Sequence, residues 1–166
     1  KRVLILTGSE RRHTFFRLFL GLSEQIRVVR TYCEGLEKSL TIQLSDQPDP
    51  TCRLKHIHAR EQSEEDFFGL FIRHVPDRSV PVFIPKGDIN STTCFKEILS
   101  LSPDLIAAYG CSLIREPLLS AFKGRFLNVH LGLSPYYRGS GTNYWPLVRG
   151  EPEYVGATFM HIDAGI

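Results

Sequence analysis

The sequence predicts an α/β protein built on an open, mostly parallel sheet with helices on both faces. Three observations favour this fold class. Short apolar runs of the kind that form buried parallel strands recur along the chain. Segments with helical spacing of their apolar residues lie between them, and glycine, proline and aspartate mark the breaks. The length of 166 residues, 42% of them hydrophobic, suits a single domain covering 1–166.

In the first half of the chain, the apolar run RVLILT predicts a strand that ends at the turn Gly8-Ser9. Phenylalanine and leucine residues at helical spacing predict a helix next, and a second strand follows. Pro48 and Pro50 predict a long loop, and a segment with an acidic start and phenylalanines on one face predicts a capped helix. The predicted elements are strands 2–7 and 26–32, helices 11–22 and 62–74, and a loop over 34–60.

In the second half, strands and helices alternate with short connections. The strongest strand signal is LIAAY, which follows Pro103-Asp104, and Ser91 or Thr92 stands where the preceding helix needs a cap. The predicted elements are strands 82–84, 105–109, 126–130 and 157–161, and helices 91–101, 113–122 and 142–148. Together they predict a Rossmann-like sheet, which binds its ligands at the carboxyl ends of the strands.

Charge and cysteine content argue against several classes of function. Twenty basic and 18 acidic side chains leave a formal charge of +2, so no nucleic-acid or membrane partner is expected, although a small anionic ligand is compatible with it. The cysteines lie far apart and no signal peptide or membrane span is visible, which predicts free thiols and a cytoplasmic location. They are Cys33, Cys52, Cys94 and Cys111. His56 and His58 have no accompanying ligands, so no metal site is predicted.

Asn128 and His130 are the first candidates for chemistry. They stand two apart at the carboxyl end of a predicted strand, so both side chains leave the same face and can reach one ligand atom. An amide donor and an imidazole directed at one point suit an oxyanion that develops on an acyl or formyl carbon. The alternative interpretation is structural: two strand-end side chains that bond to the backbone.

Residues 126–166 carry a longer pattern, FLNVHLGLSPYYRGSGTNYWPLVRGEPEYVGATFMHIDAGI. It contains, in order, Asn-x-His, a turn ending in proline, an aromatic-Arg-Gly, a helix, Gly-x-Thr and an Asp-x-Gly-Ile loop. The matching residues are Asn128, His130, Pro135, Tyr137-Arg138-Gly139, Gly156, Thr158 and Asp163-Ala164-Gly165-Ile166. This ordered pattern resembles the folate-dependent formyltransferase family. Upstream, Ala108-Tyr109-Gly110 followed by Leu113-Ile114 fits the family's folate segment.

The resemblance implies that 10-formyltetrahydrofolate donates a formyl group to the amine of a small acceptor. Asn128 would hold the formyl oxygen, and His130 would stabilise the tetrahedral intermediate. The resemblance also implies a cis peptide bond between Ser134 and Pro135. The pteridine would lie against two segments, formed by Cys111, Ser112, Leu113 and Ile114 and by Asp163, Ala164 and Gly165. We interpret the thiol of Cys111 as an inert wall of that pocket.

Other residues are candidates for binding the acceptor. Gly8 and Ser9 precede a predicted helix and could hold an acceptor phosphate, with a solvated basic turn as the alternative. Tyr137 and Arg138 could hold an anionic or sugar substrate, with a structural salt bridge as the alternative. The favoured acceptor is an amino sugar, ahead of transfer RNA or a purine precursor. The alternative functions are a formyltetrahydrofolate hydrolase and a non-catalytic folate- or sugar-nucleotide-binding module.

The chain departs from the family pattern in two places. The family's Ser-Leu-Leu-Pro turn is Gly132-Leu133-Ser134-Pro135 here, which changes the turn beside the substrate. The family's catalytic aspartate follows the Asp-x-Gly-Ile tetrapeptide and would be the residue after Ile166. We therefore expect a domain truncated at that end, with Asp163 assigned to the folate pocket rather than to the chemistry. The expected consequence is that residues 1–166 alone do not catalyse formyl transfer.

Overall fold

The computed structural model of the chain describes residues 1–35, 50–139 and 141–163, without the side chains of 50–54 and 56. The strands are β1 (Arg2–Thr7), β2 (Arg27–Glu34), β3 (Pro81–Ile84), β4 (Leu105–Tyr109), β5 (Phe126–Leu131) and β6 (Ala157–His161). The α-helices are α1 (Arg11–Gly21), α2 (Pro50–Glu64), α3 (Leu70–His74), α4 (Thr92–Leu101), α5 (Leu118–Ala121) and α6 (Tyr144–Arg149). A π-helical turn, Glu65–Gly69, joins α2 to α3, and 3₁₀ turns occur at Asp88–Asn90 and Pro152–Tyr154.

The strands described form one sheet in the order β3-β2-β1-β4-β5-β6. Strands β1 to β5 are parallel, and β6 runs antiparallel to β5 along the edge. The α/β fold with an open, mostly parallel sheet is therefore confirmed. Because parallel strands end at the same edge, the turns after β1 and β4 and the end of β5 are brought together there.

Alternating residues of β1 show why both faces of the sheet carry helices. Val3 and Ile5 point to one face, where Phe16 of α1 packs against them. Leu4 and Leu6 point to the other face and enter a larger core with side chains of α4 and α5. These four β1 side chains are at most 3% exposed. Burying each of these side chains stabilises the fold by about 1.5–3 kcal/mol. A strand that is apolar on both faces, such as β1, is therefore most stable in the interior of the sheet.

The loop predicted over 34–60 is wrong in its second part. Residues 50–60 belong to α2, while 36–49 lie outside the described residues. Pro50 is the first residue of α2, a position where the missing N–H of proline has no helical partner to lose. The sequence showed no apolar period because α2 exposes polar residues over 58–63. Tertiary ion pairs hold the helix instead, since Arg12 in α1 pairs with Glu64.

The helix predicted over 113–122 is also wrong in its first part, because α5 begins only at Leu118. Two main-chain groups before α5 bond to the side chain of Asn90 instead of forming a helical turn. The amide of Asn90 donates to the carbonyl of Leu113 at 2.9 Å, and its oxygen accepts the N–H of Arg115 at 2.8 Å. Pro117 further disfavours a helical conformation at the residue before it. The predicted helix 142–148 lies at Tyr144–Arg149.

Within the residues that the structure describes, no helix is both long and apolar enough to span a bilayer.

Candidate active site

A cavity of about 360 Å³ lies beside β5 and β6. The antiparallel register places Met160 opposite Asn128 and Thr158 opposite His130. Because residues two apart share a face of a strand, these four side chains form one wall. The rest of the lining comes from the connection after β5, namely Ser134, Arg138 and Gly139. The structure therefore brings Asn128, His130 and Arg138 to one site.

The environment of Asn128 and His130 suits polar chemistry at a partly enclosed surface. Both side chains are half-buried. Asn128 pairs with Ala108 of β4, whose small side chain is fully buried, and Phe126 closes the core beneath it at 0% exposure. Hydrogen bonds made at such a site are stronger than in open water, because less solvent competes for the donor and acceptor.

Thr158 ties the turn after β5 to β6. Its hydroxyl donates to the carbonyl of Gly132 at 2.8 Å and accepts the N–H of Ser134 at 3.0 Å. Gly132 has a φ of +100°, a conformation that favours glycine. The Ser134–Pro135 peptide bond is cis, as predicted. This turn leads the chain from His130 back to Arg138 at the cavity.

Tyr137 takes a different place from its neighbour Arg138. Its ring is buried, and the Arg149 guanidinium lies 5.6 Å from the ring centroid. Its hydroxyl donates to Glu151, and this hydrogen bond raises the pKa of Tyr137. Tyr137 therefore packs toward the end of α6 rather than lining the cavity. A contact of Tyr137 with substrate stays a prediction.

The segment predicted to bind the pteridine follows β4 and borders a second cavity of about 440 Å³. Ser112 and Leu113 line it, together with Lys86, Gly87, Asn90 and Arg115. Ile114 is turned into the core, where it is 7% exposed. Burial, and the negative charge of Glu34 nearby, raise the pKa of the Cys111 thiol to about 12. A thiol with that pKa is protonated near neutral pH and a poor nucleophile, in line with the inert role assigned to it.

The second predicted folate segment is described only in part. Asp163 lines a small cavity of about 130 Å³ beside α5, with Ile162 and Lys123 among its neighbours. This is a different cavity from the one that contains His130. Ala164 and Gly165 lie outside the described residues. The part of Asp163 and its neighbours in folate binding stays a prediction.

Gly8 and Ser9 form the turn between β1 and α1, and the ring of His13 fills the space beside it. A Cβ on Gly8 would lie 2.5 Å from Nδ1 of His13. The arginines that follow this turn, at the start of α1, are engaged with carboxylates, Arg11 with Glu65 at 2.8 Å and Arg12 with Glu10 and Glu64. Binding of an acceptor phosphate at Gly8 and Ser9 stays a prediction.

His13 is a buried, uncharged histidine at the carboxyl edge of the sheet. Its Nδ1 accepts the N–H of Glu10 at 3.3 Å, and its ring meets Tyr109 edge-on at 4.9 Å between centroids. Burial, followed by the charges of Arg12, Lys86 and Arg60, lowers the pKa of His13 to about 3. The Glu10 carboxylate, 3.7 Å from Nδ1, favours the charged ring, but burial and the three cations outweigh it.

His13 is expected to make the fold sensitive to acid. Between the unfolded pKa of about 6.5 and the folded value, the unfolded chain binds a proton that the folded chain does not, so stability falls as pH falls. Between about pH 7 and about pH 4.5, wild type should lose about 2–3 kcal/mol more than His13→Gln, which has no proton to gain. Urea denaturation of both proteins at the two pH values measures this. Equal losses would contradict an uncharged His13.

Two contacts in the wall of the site were not predicted from the sequence, that of Thr158 with His130 and that of Met160 with Asn128. Thr158 belongs to the Gly-x-Thr pattern, but only the register of β5 and β6 puts it opposite His130. Met160 faces Asn128 for the same reason, and no local pattern marked either contact. His56 lies among the residues whose side chains are not described. In the rest of the described chain, no three His, Cys, Asp or Glu side chains gather as a metal site.

Comparison with known families agrees with the geometry. The model of the family described as formyl transferase matches residues 25–166. The chain belongs to the formyl transferase family. A methionyl-tRNA formyltransferase of Alkaliphilus oremlandii (strain OhILAs) is 38% identical to this chain over 90 residues. That match covers 53% of the chain and 28% of the relative, so the chain spans only part of the curated protein.

Solved structures show the same fold at low sequence identity. The phosphoribosylglycinamide formyltransferase from Anaplasma phagocytophilum has a TM-score of 0.61 at 13% identity, and the match covers 98% of this chain and 65% of that one. The glycinamide ribonucleotide transformylase 1 from Geobacillus kaustophilus has a TM-score of 0.59 at 21% identity, with 100% and 76% covered. These likenesses show that the chain shares the fold of these proteins.

Replacing Thr158 by valine should destabilise the protein by about 1–3 kcal/mol, because the Gly132 carbonyl and the Ser134 N–H would lose their partner with little change in shape. Chemical denaturation measures the loss. Thr93→Val, at an exposed position of α4, is the matched control and should change stability by no more than about 0.5 kcal/mol. Equal effects of the two substitutions would show that the turn does not depend on Thr158.

Proposed function

We propose that this chain carries the transfer of a formyl group from 10-formyltetrahydrofolate to the amine of a small acceptor. The observation that carries the proposal is the pair Asn128 and His130, on one face of β5 and in one cavity with Thr158 and Met160. An amide N–H and an imidazole on one wall can both reach the oxygen of a formyl group placed in that cavity. Membership of the formyl transferase family supports the reaction type.

In the proposed reaction, the lone pair of the acceptor nitrogen forms a bond to the formyl carbon, and the carbonyl electrons move onto oxygen. The amide of Asn128 donates to that oxyanion, and His130 stabilises its charge. The bond from carbon to N10 of the folate then breaks as the oxyanion collapses. The acceptor nitrogen loses one proton and N10 gains one, so the products are a formamide and tetrahydrofolate.

The donor is assigned to the edge of the sheet beside this cavity. The segment after β4 borders the second cavity, with Ser112 and Leu113 in its lining. Leu113 is 67% exposed, so an apolar surface is available to a flat ring system. The family resemblance assigns the pteridine to this segment.

The acceptor that we favour is an amino sugar. Arg138 lines the cavity and offers a bidentate donor to an anionic group of the acceptor. Tyr136, Tyr144 and Trp145 are 67%, 52% and 48% exposed, and such rings can pack against the apolar faces of a sugar. A formal charge of only +2 supports a small acceptor over a polyanion.

Methionyl-tRNA is the second candidate acceptor, because the curated relative with 38% identity is a methionyl-tRNA formyltransferase. The identity extends over 90 residues, 28% of the relative, so it supports a shared domain more directly than a shared acceptor. A nucleic-acid acceptor would be expected to bring a basic surface and salt-dependent binding.

The test is an acceptor panel with 10-formyltetrahydrofolate, comprising a nucleotide-linked amino sugar, glycinamide ribonucleotide, methionyl-tRNA and a reaction without acceptor. Products are identified by mass spectrometry, for residues 1–166 and for protein that extends past Ile166. Formylation of the amino sugar alone supports the proposal, and formylation of the tRNA alone replaces it with the second candidate. Loss of the formyl group only to water would overturn both.

A further inference from the structure

Glu34 is a fully buried carboxylate at the end of β2. It is 1% exposed, and one oxygen accepts the N–H of Gly87 at 2.7 Å while the other accepts the N–H of Ser112 at 2.5 Å. The Lys86 ammonium is 3.5 Å from the second oxygen. A buried carboxylate is costly unless it is paired and hydrogen-bonded, and both conditions are met here. Glu34 thus links the ends of three adjacent structures: β2, the connection after β3 and the connection after β4.

Asn90 makes a second set of bonds to the same segment. Its amide donates to the Leu113 carbonyl at 2.9 Å, and its oxygen accepts the Arg115 N–H at 2.8 Å. Asn90 is itself held by its own N–H, which donates to the Gly87 carbonyl at 3.2 Å. Gly87 therefore bonds to both side-chain bearers: its N–H donates to the Glu34 carboxylate, and its carbonyl accepts the N–H of Asn90.

Residues 112–115 are outside any helix or strand, and three of their main-chain groups bond to these two side chains: the N–H of Ser112, the carbonyl of Leu113 and the N–H of Arg115. We propose that Glu34 and Asn90 are positioning residues, which hold the main chain of 112–115 in the form that binds the formyl donor. This inference rests on the proposed function, since the donor is assigned to that segment. A segment ordered beforehand loses less conformational freedom when the ligand binds, and this raises affinity.

Glu34 and Asn90 are expected to affect donor binding and not the chemical step. Neither Glu34 nor Asn90 lines the cavity of Asn128 and His130. Loss of either side chain should therefore change the affinity for the folate without changing the rate of the step that forms the new bond. A general structural role would instead lower the fraction of folded protein and reduce activity at every donor concentration.

The test uses two substitutions that keep shape. Asn90→Asp keeps the acceptor for the Arg115 N–H but turns a carboxylate oxygen toward the Leu113 carbonyl. Glu34→Gln keeps one acceptor and places an NH₂ group against the N–H of Gly87 or Ser112. Glu24→Gln is the matched control, because Glu24 is an exposed carboxylate in the connection between α1 and β2.

Binding of tetrahydrofolate is measured by calorimetry on residues 1–166, and KM for 10-formyltetrahydrofolate and kcat on protein extended past Ile166. Both site variants should weaken folate binding and raise KM about tenfold or more, equivalent to about 1.4 kcal/mol, with kcat within about twofold of wild type. Hydrogen exchange at the amides of Ser112 and Arg115 should speed up in the same variants. The control should match wild type throughout.

Each other outcome has a definite meaning. Wild type that binds no folate would remove the proposed function and this inference with it. Wild type that binds folate, beside site variants that bind it equally well, would remove the inference alone. A lower kcat with an unchanged KM would also overturn it, because the side chains would then act on the chemical step. If Glu34→Gln does not fold, the half-buried Asn90 decides the question through Asn90→Asp.

Discussion

Replacing His130 by alanine should reduce formyl transfer by about a hundredfold or more, in protein that extends past Ile166, while the fold and folate binding persist. The reason is that His130 shares one wall of the cavity with Asn128, and the proposed reaction develops charge on the formyl oxygen at that wall. Asn128→Ala should produce a loss of the same order, since one oxyanion donor disappears. The measurement is kcat for the favoured acceptor at saturating donor, beside tetrahydrofolate binding for each variant.

Two further variants sharpen this prediction. Asn128→Asp keeps the shape but replaces the amide donor with a carboxylate that repels an oxyanion, so its loss should at least equal that of Asn128→Ala. His161→Ala is the control histidine, because its Nδ1 lies 3.0 Å from the Phe126 carbonyl and it does not line the cavity. Near-wild-type turnover in His130→Ala, or an equal loss in His161→Ala, would contradict the assignment.

Replacing Gly110 by alanine should destabilise the fold by about 3 kcal/mol or more, the sum of a backbone and a packing effect. Gly110 has a φ of +69°, which costs a residue with a Cβ about 1–2 kcal/mol. The added Cβ would also overlap Nε2 of His13, whose side chain is buried at 4% exposure. Urea denaturation near neutral pH measures the loss.

Gly124→Ala is the matched control, with a φ of +75° and no atom within 4 Å of the added Cβ. It should therefore show only the backbone effect, about 1–2 kcal/mol. The double variant His13→Ala with Gly110→Ala should be more stable than the sum of the single losses predicts, because the smaller side chain leaves space for the Cβ. Equal losses for the two glycine variants would mean that His13 does not fill the space beside Gly110.

Helices and strands with a regular apolar pattern could be predicted from the sequence, whereas elements without one could not. The strand over 105–109 was predicted with its observed bounds because a run of buried residues has the same meaning wherever the chain packs it. Residues 50–60 were assigned to a loop because α2 is polar on its exposed sides and is held by Arg12 and Glu64. Ion pairs between distant residues leave no local period to detect.

The candidate site divides in the same way. Asn128 and His130 could be found from sequence because two residues apart on a strand always share a face, and the cis bond before Pro135 came from the resemblance. The contacts of this pair with Thr158 and Met160 could not be predicted from sequence. They depend on the antiparallel register of two strands that lie about 30 residues apart in the chain. Tyr137 and Arg138 are neighbours in sequence but occupy different places. Arg138 lines the cavity, whereas Tyr137 is buried and donates a hydrogen bond to Glu151.

By itself, the sequence determined the α/β fold, the family and the Asn128–His130 pair, because periodicity, turn residues and an ordered motif are local properties of the chain. Only the tertiary structure decided which groups surround them. The uncharged state of His13 and the bonds of Glu34 to Gly87 and Ser112 depend on burial and on contacts between segments far apart in sequence. These interactions form only when the strands are assembled in the sheet, so the sequence of a single segment does not predict them.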